Sequence, residues 1–320
     1  MNIHPEERYH LKLKAMYYYY YEGYTQQKIA KMLNISRPTL SKFFKEARAE
    51  GIVEIKINDI KNNGNLLDLE VQLKKRYDLE DVRVVDCVKH DDREVAKEVG
   101  KAAAVYFERI LKDGMKIGVA WGKTLEVMVE NLKENKSIKD LQIVTLLGGA
   151  GGISSQVHAN ILSQEILNKY DGKGYFLYAP TVVDSKELLE ALIANTETSK
   201  VLELAKNVDV ALVGIGGPIE VSTVLETGYF NEKQIEALKK CGAVGDICSR
   251  FFDEDGKACN LDINERIVGI TLDDLKKIKK VIAIAGGKNK VKSIRGALNG
   301  RYVDVLITDR YVAECLLGRA

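Results

Sequence analysis

Four glycine-rich segments follow apolar, β-branched runs in the C-terminal part of the chain. They read Gly118-Val-Ala-Trp-Gly-Lys-Thr124, Gly148-Gly-Ala-Gly-Gly152, Gly214-Ile-Gly-Gly-Pro218 and Gly286-Gly-Lys-Asn-Lys290. One such turn is weak evidence, because any tight connection between a strand and a helix can need a glycine. Several turns at the same edge of a sheet would let backbone amides converge on an anion, so together they predict an anion site.

The spacing of the glycines argues against a nucleotide as that anion. Three residues separate Gly118 from Gly122-Lys-Thr, whereas a Walker A motif needs four. The segment that begins at Gly214 lacks the third glycine of a dinucleotide fingerprint, and no early strand carries that fingerprint. The pattern therefore favours a small phosphorylated ligand.

Polar residues beside these segments could bind such a ligand. Lys123 and Thr124, at a predicted helix start, offer charge and a hydroxyl to a phosphate. His158, Asn160 and Asp246 could hydrogen-bond sugar hydroxyls, and Lys290 could balance a second phosphate or an oxyanion. The predicted effector contacts are Gly122, Lys123, Thr124, Gly148, Gly149, His158, Asn160, Asp246 and Lys290.

The alternative for each of these residues is a role at the surface or in a helix cap. For His158 the alternative is a neutral imidazole packed inside the protein. No nucleophile with a base and an orienting group can be read from the sequence, and the acids are too scattered to nominate a catalytic pair. Five cysteines lie far apart with no C-x-x-C pair and no nearby histidine cluster. We therefore expect no catalytic residues, no metal, no cofactor and reduced thiols.

Residues 24–57 have the pattern of a helix-turn-helix followed by a short strand. Thr25 and Ser36 are predicted N-caps of the two helices, and Pro38 falls in the first turn of the second, where proline is tolerated. Apolar residues at helical spacing predict the buried face of the second helix: Leu40, Phe43, Phe44 and Ala47. Gly51 is predicted to end this helix.

The remaining face of the second helix suits DNA. Between Lys28 and Arg48 there are six Lys or Arg residues and one acid, Glu46. Short polar residues and cations at such a helix can reach base edges and phosphates in a major groove. The alternative is an ordinary helical hairpin with solvated charges. The predicted DNA contacts are Arg37, Thr39, Ser41, Lys42 and Lys45.

The rest of the chain predicts a second, larger α/β domain. From about Val82, β-branched runs alternate with amphipathic helices, which is typical of a parallel sheet covered on both faces. The polar segment 58–65 predicts a linker, and the stripe Leu66, Leu69, Leu73 and Tyr77 predicts a helix that packs on the next domain or pairs with another chain. We expect a helix-turn-helix domain at 1–57, a linker with a possible oligomerisation helix at 58–78, and an effector-binding domain at 79–320.

Length, charge and hydropathy limit the classes of protein to which the chain can belong. The chain has 320 residues and a net charge of +2, so it is no polycation as a whole. The polar start has no signal-peptide core, and no apolar run reaches membrane-spanning length, which predicts a cytoplasmic protein. A single helix-turn-helix offers a small DNA interface, so we also expect a homo-oligomer, a dimer at least, with a tetramer favoured over a dimer.

The order of several motifs resembles the sorbitol-operon (SorC) family of bacterial sugar-binding transcriptional regulators, which includes deoxyribonucleoside regulators. The resemblance covers nearly the whole chain, and its motifs lie at 26–41, 50–55, 118–124, 211–216, 242–256, 284–290 and 304–309. It implies a Rossmann-like C-terminal domain similar to phosphosugar isomerases and deaminases, which binds a phosphorylated sugar that controls DNA affinity. Family members more often carry Arg at the position of Lys123. The alternative is an isomerase- or deaminase-type enzyme with a fused DNA-binding head.

Overall fold

The computed structural model describes residues 4–55, 66–88, 91–149, 158–218 and 230–319. The chain divides into two compact units, Met1–Asn63 and Gly64–Ala320. Among the described residues, no helix is long and apolar enough to cross a membrane.

The first unit is helical, with α1 at Pro5–Tyr20, α2 at Gln26–Met32 and α3 at Arg37–Ala49. Its core combines Ala15 and Met16 of α1 with Ile29 and Ala30 of α2 and the predicted apolar face of α3. Burial of all four predicted α3 residues confirms the helical period read from the sequence. The predicted strand after Gly51 is wrong where it can be judged, because residues 51–55 form no strand, and Ile57 lies outside the described residues.

The second unit is built on a seven-stranded, all-parallel sheet in the order β1-β9-β8-β5-β2-β3-β4. A separate antiparallel hairpin, β6–β7, lies outside this sheet. The strands are β1 Asp81–Val85, β2 Lys116–Val119, β3 Leu141–Thr145, β4 Gly172–Tyr175, β5 Val210–Val213, β6 Gly245–Ile247, β7 Arg250–Phe252, β8 Val281–Ile284 and β9 Val305–Asp309.

Helices connect these strands. They are α4 Leu66–Tyr77, α5 Asp92–Ile110, α6 Lys123–Asn131, α7 Ala159–Lys169, α8 Lys186–Ala194, α9 Thr196–Lys206, α10 Glu232–Lys240, α11 Leu272–Leu275, α12 Val291–Asn299 and α13 Arg310–Leu317. The central strands β5, β8 and β9 are buried along their whole length, as expected for a parallel sheet covered on both faces. The α/β prediction is confirmed.

Helix α4 packs within the second unit. Leu66, Leu69 and Leu73 belong to its main core, and α4 contacts β1 and α13. The Glu70 carboxylate accepts a hydrogen bond of 2.9 Å from the Val84 amide on the edge strand β1. This helix therefore covers one edge of the sheet, which protects it from pairing with another strand.

Candidate functional site

The second helix of the helix-turn-helix, α3, begins at a well-formed cap. The Ser36 hydroxyl accepts a hydrogen bond of 3.2 Å from the Thr39 amide and lies 2.8 Å from the Thr39 hydroxyl. Asn34 adopts φ 50° in the preceding turn, a left-handed conformation that asparagine tolerates better than most residues. These local interactions fix where α3 starts and which side it presents to solvent.

Four of the five predicted DNA contacts lie on that side. Arg37, Ser41, Lys42 and Lys45 are exposed, while Thr39 is half-buried beside its cap. The Lys42 ammonium lies 4.0 Å from Glu46, and its side chain remains 68% exposed. The outward face of α3 therefore offers three cations and a hydroxyl on a helix whose opposite face is anchored in the core.

Glu46, the one acid in this basic segment, is turned toward α1. Its two carboxylate oxygens accept hydrogen bonds of 2.7 and 2.9 Å from Arg8. The buried Lys12 ammonium lies 3.3 Å from Glu46 and donates hydrogen bonds of 2.7 and 2.8 Å to Glu50. Hydrogen bonding to Arg8 holds the pKa of Glu46 below its usual range. Glu46 is therefore partnered by α1 as well as by Lys42.

In the second unit, the candidate effector residues lie where the order of the strands reverses. From β2 the chain moves outward through β3 and β4, then returns to β5 on the other side of β2 and continues through β8 and β9. Ligands of open parallel sheets bind beyond the carboxyl ends of the strands at such a reversal. Strands β8, β5, β2 and β3 are neighbours in the sheet, and the segments after β8, β2 and β3 carry all the predicted contacts except Asp246.

The loop after β2 leads directly into α6. Gly122 occupies its N-cap with φ 141°, a conformation that strongly favours glycine, and Lys123 and Thr124 form the first turn. Thr124 is buried and Lys123 is exposed. A helix N-terminus with a lysine and a hydroxyl is suited to an anion, and the phosphate role of this turn stays a prediction.

Asp246 lies on β6 of the hairpin and faces the loop after β5. Its main-chain carbonyl accepts a hydrogen bond of 2.9 Å from Gly216, and its Oδ2 accepts one of 3.1 Å from Ser249. Oδ1 is buried without a partner among the described residues. A methyl group at Gly216 would overlap this oxygen, so the glycine permits the close approach. Burial raises the pKa of Asp246 to about 6.

Lys290 follows the glycine pair at the end of β8. Burial lowers its pKa, while the carboxylates of Asp246 and Asp92 raise it and Lys123 lowers it further. The charges of Asp246, Asp92 and Lys123 thus act on the Lys290 ammonium. We call Lys123, Thr124, Asp246 and Lys290 the strand-edge site.

The pair Gly148 and Gly149 plays a different part from the one expected. The Gly148 amide donates to the Val268 carbonyl at 2.9 Å, and the Gly149 amide donates to the Ala179 carbonyl at 2.8 Å. These amides are already paired with protein carbonyls, so the expectation that they converge on an anion does not hold. A Cβ on Gly148 would overlap the Ala179 carbonyl, which shows that this glycine serves close packing.

His158 and Asn160 lie at the start of α7, which follows β3 in the chain. His158 is the half-buried N-cap of the helix. The Asn160 Oδ1 atom is buried and, among the described residues, has no hydrogen-bond partner. An orphaned carbonyl oxygen of this kind is available to a ligand hydroxyl.

Sequence reasoning missed two contributors. Asp92, the first residue of α5, faces the Gly287 region and raises the pKa of Lys290. Asp309 is buried and accepts a hydrogen bond of 2.7 Å from the Gly287 amide, which positions the loop that carries Lys290. Asp92 resembles an ordinary first-turn acid and Asp309 an ordinary helix cap, so neither is distinctive in the sequence.

Comparisons with known proteins agree with this architecture. The sugar-binding domain family (Sugar-bind) matches residues 61–318. The deoxyribonucleoside regulator of Bacillus subtilis is 34% identical over 311 residues, covering 97% of this chain and 98% of the relative. The sorbitol operon regulator of Klebsiella pneumoniae is 31% identical, covering 96% and 97%. The crystal structure of full-length SorC from Klebsiella pneumoniae superposes with a TM-score of 0.74 at 30% identity, covering 96% of this chain and 98% of the other.

Proposed function

The chain belongs to the SorC/DeoR-type family of sugar-binding transcriptional regulators, and from that premise we propose that a phosphorylated sugar at the strand-edge site controls its affinity for operator DNA. The family relationship supports both halves of this proposal, since the relatives named above are regulators and the matched domain is a sugar-binding one. As a regulator it would act in the cytoplasm, where the chromosome is.

The observation that carries the proposal is the buried, half-satisfied carboxylate of Asp246 beside Lys290. A buried charge without full hydrogen bonding is costly, and proteins retain such groups mainly where they act. Asp246 Oδ1 can accept a hydrogen bond from a sugar hydroxyl, and the α6 N-terminus with Lys123 and Thr124 can hold a phosphate. A ligand that carries both groups would complete the site.

On the DNA side, we propose that Arg37, Thr39, Ser41, Lys42 and Lys45 contact the operator. Exposure of both polar and cationic groups along one side of α3 supports this assignment. A homo-oligomer, dimer or tetramer, would let two copies of α3 bind two half-sites at once. Sedimentation of a monomer at micromolar concentration, with and without operator DNA, would contradict the oligomer.

The effector test is a thermal-shift screen of pentose and hexose phosphates with the matching free sugars as controls. A bound ligand raises the melting temperature by mass action, so a phosphorylated sugar should raise it and its free sugar should not. The double variant Lys123→Ala, Thr124→Val should lose the shift. Lys133→Ala, which removes an exposed lysine just beyond the other end of α6, is the matched control and should keep it. A normal shift in the double variant would place the phosphate elsewhere.

Operator binding is tested with a sequence selected from random DNA. Replacing Arg37 or Lys42 by Ala should cost about 1–3 kcal/mol and relax specificity if the residue reads a base edge. A pure phosphate contact would instead weaken all sequences equally and lower the salt dependence. Lys14→Ala, an exposed lysine on α1, is the control for loss of one charge. Unchanged affinity in the Arg37→Ala, Lys42→Ala double variant would refute the assignment.

Coupling between the two sites follows from linkage. The sugar phosphate changes DNA affinity only by as much as it binds one arrangement of the protein better than the other, typically about 1–3 kcal/mol. Operator DNA must then change sugar-phosphate affinity by the same factor. We propose that the chain is not an enzyme, and robust isomerisation or deamination of any ligand found in the screen would revive the enzyme alternative.

A further inference from the structure

A cavity of about 450 Å³ lies beside the β6–β7 hairpin. It is bounded by the segment that follows β7, by α11 and by Tyr302, which precedes β9. Its lining includes none of the four residues of the strand-edge site. Small-molecule sites usually have volumes of about 300–1,000 Å³, so this cavity is large enough for a ligand. We call it the hairpin cavity.

Hydrogen bonds hold the walls of the hairpin cavity in place. The Tyr302 hydroxyl donates to the Gly256 carbonyl at 2.5 Å. The Asn264 side-chain amide donates to the carbonyls of Phe251 and Cys259 at 3.1 and 2.7 Å, and its Oδ1 accepts a hydrogen bond of 3.0 Å from the Phe251 amide. The cavity is therefore formed by the protein itself, which reduces the entropic cost of binding a ligand there.

Cations outnumber carboxylates in the lining of the hairpin cavity. The cations are the buried Arg250 and the exposed Lys257 and Lys276. The carboxylates are Glu265 and Asp273, both exposed. Glu265 already lies 3.3 Å from the ammonium of a lysine outside the lining. The lining therefore has an excess of positive charge, which favours an anionic ligand.

Two of these cations stand out by their surroundings. The Arg250 guanidinium has no carboxylate partner among the described residues, since its four hydrogen bonds go to main-chain carbonyls. A guanidinium has five N–H groups, so one donor is left for a ligand. The Lys276 ammonium lies 4.8 Å from the centre of the Tyr302 ring. An apolar aromatic surface and a positive charge are thus offered side by side.

We propose that the hairpin cavity is a second ligand site, which binds a small organic anion with an apolar body and one acidic group. The Tyr302 ring and the side chains of Leu261 and Leu272 provide apolar surface for the body. Lys276 and Arg250 provide positive charge and N–H donors for the acidic group. The site goes beyond the proposed function, because it uses none of the residues of the strand-edge site.

The test titrates the native full-length protein with 8-anilinonaphthalene-1-sulfonate, an aromatic sulfonate whose fluorescence rises in an apolar site. Ala258→Trp places a large ring at an exposed position of the lining and should abolish binding of the dye in the hairpin cavity. Ala194→Trp, at an exposed position of α8 outside the lining, is the matched control and should bind the dye as the wild type does.

A second pair of variants tests the charge. Lys276→Gln should weaken binding of the dye about two- to fivefold, as expected for a partly exposed ion pair. Lys277→Gln removes the next lysine in the chain, which is exposed and outside the lining, and should leave binding unchanged. The double variant Lys123→Ala, Thr124→Val at the strand-edge site should also bind the dye normally.

Equal binding of the dye by the wild type and by Ala258→Trp, with a normal far-UV dichroism spectrum of the variant, would overturn the proposal. Equal effects of Lys276→Gln and Lys277→Gln would also overturn it, because only the net charge would then matter. If Ala258→Trp does not fold, the two lysine variants decide. Loss of binding in the Lys123→Ala, Thr124→Val variant would place the dye at the strand-edge site and refute a separate cavity site.

Discussion

The buried ammonium of Lys12 allows a sharp test of how α1 holds the DNA-binding helix. The Lys12 side chain is 5% exposed, whereas the side chains of its partners Glu46 and Glu50 are 21% and 47% exposed. Burial by itself lowers the pKa of Lys12, but hydrogen bonds to Glu50 and Glu46 outweigh this effect and the pKa lies above its usual value. The charge is therefore tolerated because of its two carboxylates.

Removing the Lys12 charge should lower the stability of the first unit less than removing its two carboxylate partners. Lys12→Met keeps the apolar stem and returns partly exposed carboxylates to water, so it should cost about 0–1 kcal/mol. Glu46→Gln with Glu50→Gln leaves a buried ammonium without a counter-charge. Removing one partner of a fully buried ion pair costs about 3–5 kcal/mol of stability. Because the two carboxylates are partly exposed, we expect the double variant to lose about 2–4 kcal/mol. Adding Lys12→Met to the double variant should restore most of the lost stability.

Urea unfolding of the full chain measures these values. Far-UV circular dichroism follows the helices of both units, whereas fluorescence of Trp121, the single tryptophan, reports the second unit. A change confined to the first unit should therefore alter the dichroism transition and leave the fluorescence transition unchanged. Since the pKa of Glu46 is lowered, its contribution is present above about pH 4.3 and is lost as pH falls through the folded-state value. The difference between wild type and Glu46→Gln should therefore shrink in acid. A larger loss in Lys12→Met than in the double variant would refute the reasoning.

Three further predictions concern single groups. Ser36→Ala removes the cap of α3 and should destabilise the first unit by about 1 kcal/mol in urea unfolding, while Ser36→Asp should not. Because the pKa of Asp246 is raised to about 6, ionisation of its carboxyl group lowers the stability of the second unit as pH rises from 4 through 6. Asp246→Asn should therefore stabilise the ligand-free second unit by about 1–3 kcal/mol at pH 7.5 and should have no effect at pH 3.5. Equal effects at both pH values would exclude a buried carboxylate. Gly216→Ala should abolish the sugar-phosphate thermal shift, whereas Gly214→Ala, whose methyl group meets only the Trp121 carbonyl at 3.4 Å, should retain it.

The first unit was largely readable from sequence because its signals are local. Caps, turn and apolar period all lie within a few residues of what they determine, and each agrees with the others. The same holds for strands β5 and β8, whose apolar runs lead into Gly214 and Gly286. Edge strand β4 has no such signal, because its residues are Gly172–Tyr175 and the apolar run begins only at Tyr175, where the strand ends.

The β6–β7 hairpin was missed for a physical reason. Its strands have three residues each, and its two-residue turn, Cys248 and Ser249, adopts φ 51° and 62°. Turns with two positive φ values normally carry Asn-Gly or Asp-Gly, so Cys-Ser gives no hairpin signal. Asp246 was chosen from its neighbours in sequence, but its burial and its contact with Gly216 depend on this turn.

The roles of the glycine loops could not be separated by sequence either. All four look like anion-binding turns, and the β2 loop presents a helix N-terminus with a cation and a hydroxyl in its first turn. The amides of Gly148 and Gly149 are paired with carbonyls, and the Gly287 amide is paired with Asp309. Whether an amide is available depends on tertiary neighbours, which the local pattern does not contain.

Arg250 links the two sides of the strand reversal. It follows the turn that positions Asp246, and its buried guanidinium donates to the main-chain carbonyls of Asn264, Ile267, Gly269 and Ile270. The same stretch holds the β3 loop, because Val268 accepts from Gly148 and Gly269 pairs with Leu147. The planar guanidinium group has five N–H donors in a rigid arrangement, so one side chain can hydrogen-bond to several main-chain carbonyls in this segment. The turn at Ser249, the Arg250 guanidinium and residues 264–270 therefore connect Asp246 to the β3 loop.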